Sequence, residues 1–170
     1  MARGISKKRQ IKVYAKNAVL QMLKWAQEKY NLSDKINDPI IIISFDPRRE
    51  FSYGGWSQNR KGQWRPYINL AVVDCLKFKP ETYKEYDHYK SDPDIGNKWI
   101  TTWKAKIRYD VAHEISHAIQ DANQFLNPEQ AAALKRKFGR SNPADAHSKK
   151  FQKIYRAIRK RFVNGVRKIK

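Results

Sequence analysis

The chain has 170 residues, 36 of them Lys or Arg against 16 Asp or Glu, for a formal net charge of +20. Hydrophobic residues make up 41%, enough for the core of one folded domain despite the charge. Cys75 is the single cysteine, which excludes an intramolecular disulfide and a zinc site built on several thiolates.

The longest aliphatic run, Ile40 to Ile43, falls far short of the roughly 20 residues that cross a bilayer. Lys12, Lys16 and Lys24 interrupt the segment after the basic start. Neither a membrane span nor a secretory signal is expected, and the chain reads as cytoplasmic.

Residues 1–10 read as a loose basic arm, 11–162 as the folded domain and 163–170 as a basic tail. From Ile11 to Tyr30 the apolar positions (Ile11, Ala15, Ala18, Val19, Met22, Leu23, Ala26) recur at spacings of three and four, which predicts an amphipathic helix ended by Asn31. Pro39 opens IIIISF, a β-branched run expected as a buried strand. In FSYGGWSQNRKGQWRPYINLAVV, the residues Arg60-Lys61-Gly62 predict the turn of an antiparallel hairpin whose second strand is Tyr67 to Val73. Its Trp56 and Trp64, beside Arg60, Lys61 and Arg65, could stack bases; packing against the sheet is the plainer expectation. Residues 74–97 read as a long loop with one helical turn. A helix is expected from Lys98 to Gln124. A second begins at Asn127-Pro128 and ends at Gly139, and the last runs from Pro143 to about Phe162. The class is α+β: a small antiparallel sheet flanked by helices.

Residues 113–117 read His-Glu-Ile-Ser-His, the HExxH pattern. Four residues on a helix advance about 400°, so His113 and His117 project within roughly 40° of each other and can share a zinc ion. Glu114 lies about 100° round from His113, where a general base can stand without being a ligand. Ile107, Val111, Ile115, Ala118, Ile119 and Ala122 fall at roughly 120° to 240° from His113. One face of this central helix is therefore core and the other carries both histidines.

A third ligand must come from elsewhere. The metzincin extension is excluded, because Gln120 and Asn123 occupy its Gly and His positions. Asp121 lies a further turn along the helix. Glu129 and Asp145 sit where helix-start acids are expected. His147 is the remaining good candidate: on the last helix it falls within roughly 40° of Phe151, Ile154 and Ile158, the inward face. Lys149, Lys150, Lys153, Arg156, Arg159, Lys160 and Arg161 fall on the outward arc. From Lys149 to Lys170 there are ten basic residues and no acidic one, so these side chains are candidates for contact with nucleic acid, DNA before RNA.

HEISHAIQ and, after an insertion, AHSKKFQKIYRAIR resemble the SprT-like zinc metallopeptidases, a family that includes Spartan-like DNA–protein crosslink proteases. The family pattern is HExxH followed by HGxxF, with the aromatic packed below the site. Here His147 and Phe151 match it and Ser148 replaces the glycine. The resemblance spans roughly residues 11–162. It implies a zincin-like minimal metalloprotease fold, zinc held by His113, His117 and His147, Glu114 as catalytic base, and a monomer that cleaves protein substrates bound to or crosslinked with DNA. Tyr155, Tyr109 and His88 are candidates to stabilise the developing oxyanion. The C-terminal zinc ribbon found in some members is not expected, since one cysteine cannot build it. Two alternatives stay open: a nucleic-acid-binding protein with a structural or vestigial zinc site, and a regulatory protease resembling the ImmA type.

Overall fold

A computed structural model describes residues 5–32, 38–126 and 146–164. Helix α1 spans Lys7–Tyr30, with Ser6 Oγ accepting from the Arg9 N–H at 3.4 Å. The cap places residues 7–10, expected in the arm, inside the helix. Asn31 ends it in the left-handed conformation (φ 52°), its N–H directed back to the last carbonyls.

Strands β1 (Ile40–Ser44), β2 (Tyr53–Gln58) and β3 (Trp64–Ala71) form a sheet of order β1-β3-β2. The β2–β3 hairpin is antiparallel, as expected, and Gly62 (φ 78°) sits in its turn. The sheet as a whole is mixed rather than antiparallel, because β1 pairs with β3 in parallel, Ile40 opposite Tyr67. The three strands alternate in direction along the chain, but β3 inserts between the first two and so meets β1 running the same way. At the sheet edge the Ile40–Ile43 run is only half-buried.

A short 3-10 turn at Val73–Lys77 follows, then β4 (Glu81–Tyr83) and β5 (Lys98–Ile100), which form a two-stranded antiparallel ribbon. The segment expected as loop is thus pinned at both ends. Residues 98–100, expected as helix, are strand. Helix α2 (Trp103–Leu126) begins only after Thr102, whose Oγ1 accepts from the Ala105 N–H. Helix α3 (Lys149–Arg159) runs into a π turn at Lys160–Asn164. The expected helix start at 143 and the helix from Asn127 to Gly139 lie outside the described residues.

The central helix α2 is the hub. It packs on α1, on β2 and β3, and on α3. Ile107, Val111, Ile115, Ala118, Ile119 and Ala122 are buried on the side the periodicity assigns to core, each large aliphatic contributing about 1.5–3 kcal/mol. Trp56 is buried and donates to the Ala118 carbonyl at 2.8 Å, so it packs the sheet. No described helix is long and apolar enough to cross a membrane.

Candidate metal centre

His113 and His117 leave the same face of α2 one turn apart, and their Nε2 atoms lie 3.2 Å from each other. His147 comes from the turn just before α3, not from the helix, because Ser148 takes the N-cap position and accepts from the Phe151 N–H. Its Nε2 is 3.1 Å from the Nε2 of His113. One ligand atom from each of the three rings lies within 4.8 Å of the others. Zinc–nitrogen bonds of ~2.0–2.1 Å in a tetrahedral site put ligand nitrogens about 3.3–3.4 Å apart. The donor set fits a divalent cation.

Electrostatics agrees with that donor set. Burial, then the neighbouring His117 and His147, hold His113 well below the usual imidazole range. Burial holds His117 and His147 at about 4. All three rings are neutral at pH 7, the form that ligates a metal.

Phe151 forms the floor. Its ring centroid is 4.5 Å from that of His117, 4.9 Å from His147 and 5.0 Å from His113. Ser148 has φ −58°, a conformation open to any residue, so a serine at this position brings no strain.

Glu114 is buried beside the rings, and burial followed by the charge of Asp110 pushes its carboxyl up to about 8. The Gly54 backbone N–H opposes that rise. Gly54 lies against the Glu114 main chain, where a side chain would not fit. Glu114 and His113 line a cleft of about 640 Å³ that is also walled by Phe51, Tyr86, Glu85 and Asp110.

Two participants escape the sequence patterns. Glu85, from the segment expected as loop, is buried with Oε2 3.7 Å from His113 Nδ1. Tyr86 lays its ring 3.8 Å (centroid to centroid) from His147. Among the oxyanion candidates, Tyr155 is buried and its hydroxyl donates to Glu85. Tyr109 is buried against the Arg159 guanidinium. His88 stays exposed at the rim, Nε2 3.4 Å from the His147 carbonyl oxygen. All four histidines of the chain thus gather at one place.

The basic face needs one correction. Arg159, assigned to the outward arc, is fully buried and paired with Glu85. It continues the stripe Phe151–Tyr155 at spacings of four, so the same periodicity that buries those rings buries it. Arg156 pairs with Asp92 and Asp94, and Lys150 donates to the Gln120 carbonyl. Lys149, Lys153, Lys160 and Arg161 are exposed.

The chain matches no protein-family model, no curated protein and no solved structure.

Proposed function

We propose that the protein is a zinc-dependent peptidase. The observation that carries this reading is the convergence of three imidazole Nε2 atoms, from two separate parts of the chain, beside a buried carboxylate that opens on a cleft. A purely structural site has no use for Glu114 in that position.

A bound zinc ion would act as Lewis acid on the scissile carbonyl and lower the pKa of water towards ~7. His113, His117 and His147 would hold the ion. Glu114, in its ionised form, would take a proton from a water in the cleft as that water's oxygen attacks the scissile carbonyl carbon, and would deliver the proton to the amine as the C–N bond breaks. Burial of His113 and Glu114 limits solvent access on the helix side. His88 and Tyr86, at the rim, are the side chains placed to meet an incoming peptide.

The substrates we assign are proteins bound to nucleic acid. Two features support this assignment: the net charge of +20 and the exposed cations on the outer face of α3. The resemblance to SprT-like peptidases at residues 113–117 and 147–151 points the same way.

The test is Glu114→Gln. The variant is expected to bind zinc like the wild type and to lose cleavage of a DNA-bound protein substrate. Cleavage that persists at wild-type rate would overturn the peptidase reading.

A further inference from the structure

Beneath the three histidines lies a buried charged group that the proposed reaction does not use. Arg159 is fully enclosed. Its Nη1 is 3.4 Å from Glu85 Oε1, 3.3 Å from the Gly96 carbonyl and 3.4 Å from the Tyr155 hydroxyl, while Nε and Nη2 have no hydrogen-bond partner among the described residues. The rings of Tyr109 and Tyr155 pack against the guanidinium, with centroids 4.4 and 5.2 Å away. The Glu85 carboxylate, 1% exposed, also accepts from Tyr155. Its backbone N–H is fixed by Asn97 Oδ1 at 2.6 Å.

Stability alone does not explain this group. A desolvated ion pair is often no better for a fold than apolar residues of the same volume. Its location suggests another role. The second oxygen of Glu85 faces His113 Nδ1 at 3.7 Å, and that nitrogen is buried with no hydrogen-bond partner among the described residues. A neutral imidazole carries one proton. Burial pushes the Glu85 carboxyl up to about 7, and the Tyr155 hydroxyl and Arg159 guanidinium oppose that rise; the ionised carboxylate they favour, opposite Nδ1, keeps the proton there and leaves the Nε2 lone pair for a metal.

We infer that Glu85 is a positioning residue of the metal centre: anchored by Arg159 and Tyr155, its carboxylate fixes the orientation and tautomer of the His113 ring so that Nε2 faces His117 and His147. The inference rests on the metal-centre reading. It assigns a role to the β4–β5 connection, which thereby reaches under the site.

Two measurements on the full chain test it. The first is zinc affinity by chelator competition. Glu85→Leu/Arg159→Met removes the pair and leaves an apolar core. Its metal-free melting temperature is expected near that of the wild type, with zinc bound roughly tenfold to a hundredfold more weakly. Affinity within twofold of wild type would overturn the inference. So would a lowered melting temperature with unchanged affinity, which is the mark of a merely structural pair. Should the double variant fail to fold, Glu85→Gln takes its place. About a tenfold loss supports the role and no loss overturns it.

The second measurement needs no metal. The ¹⁵N shifts of the His113 ring in the metal-free protein are expected to report the Nδ1–H tautomer in the wild type and a tautomer mixture in the variant. Identical shifts in both would overturn the inference. A wild type that binds zinc and shows this tautomer change yet cleaves no protein would sink the peptidase reading and leave the role of Glu85 standing, whereas a wild type that binds no zinc would overturn both.

Discussion

Gly54 of β2 lies flat against the main chain of Glu114: a Cβ on the strand residue would overlap the carbonyl group and Cα of the helix residue. The strand therefore approaches α2 at backbone distance just where the candidate base stands. The same glycine's N–H favours the ionised form of the Glu114 carboxyl. A double glycine that reads as a strand weakness in sequence is what lets the sheet hold the base.

Gly54→Ala is accordingly expected to destabilise the protein, because neither backbone can give way cheaply. Overpacking of this kind costs about 1–3 kcal/mol, a fall of roughly 2–12 °C in melting temperature for a chain of this size. Gly55→Ala meets first the outer end of the exposed Tyr53 ring, a side chain rather than a backbone, so its melting temperature should fall less than that of Gly54→Ala. Thermal melts of the two variants side by side decide the matter. Equal shifts would show that the close approach to Glu114 is not the constraint.

How legible the site was depends on which residues periodicity governs. His113, Glu114 and His117 sit on one long amphipathic helix, so 100° per residue fixes their faces. Phe151, Ile154 and Ile158 are buried, as the same arithmetic requires. His147 reaches the site by a different route from the expected one, since Ser148 caps the helix and leaves the histidine in the preceding turn. Three-residue strands such as β4 and β5 carry no period to read. Glu85 and Tyr86 owe their place to where that ribbon packs, which is a tertiary fact. The parallel β1–β3 pairing was hidden for a related reason: alternation marks a strand's faces but not its direction.

His147→Ala removes one of three nitrogen donors and leaves both Phe151 and the Ser148 cap in place. Helix content by circular dichroism should be unchanged. The wild-type protein is expected to retain a single zinc through purification. The variant should bind it more weakly than the tenfold-to-hundredfold loss typical of an outer partner of a ligand. Elemental analysis with chelator competition measures both. Equal zinc content in variant and wild type would remove His147 from the ligand set.

Cys75 supplies a probe remote from this chemistry. It is fully buried in the core, and burial, reinforced by the charge of Asp110, pushes its thiol up to about 12. Only the thiolate is nucleophilic. At pH 8 the folded protein would hold only about one thiolate in ten thousand, against about one in ten for a thiol at the ordinary value of 9.0. Maleimide labelling of the native protein should therefore be slow and should rise to completion across the unfolding transition. The sign of the pH effect follows: the unfolded thiol ionises near 9, the folded one only near 12, so the shift lowers stability as pH rises through that window. Rapid labelling of native protein at pH 8 would contradict the buried placement.

The outer face of α3 makes the last prediction. Arg159 is enclosed, Arg156 is matched by Asp92 and Asp94, and Lys150 caps the Gln120 carbonyl. The charge available to phosphates on this helix and the turn after it is that of Lys149, Lys150, Lys153, Lys160 and Arg161, all exposed, with only Lys150 tied to a carbonyl. Changing Lys149, Lys153 and Lys160 together to Glu should weaken binding to a labelled DNA duplex at every salt concentration. The slope of log affinity against log salt should fall by about 0.9 for each phosphate the variant no longer neutralises. Arg156→Gln, which removes a charge already paired within the protein, should leave the slope nearly unchanged. Fluorescence anisotropy titrations across a salt series separate the two. A triple variant with the wild-type slope would move the nucleic-acid footprint off α3, to the cations of α1.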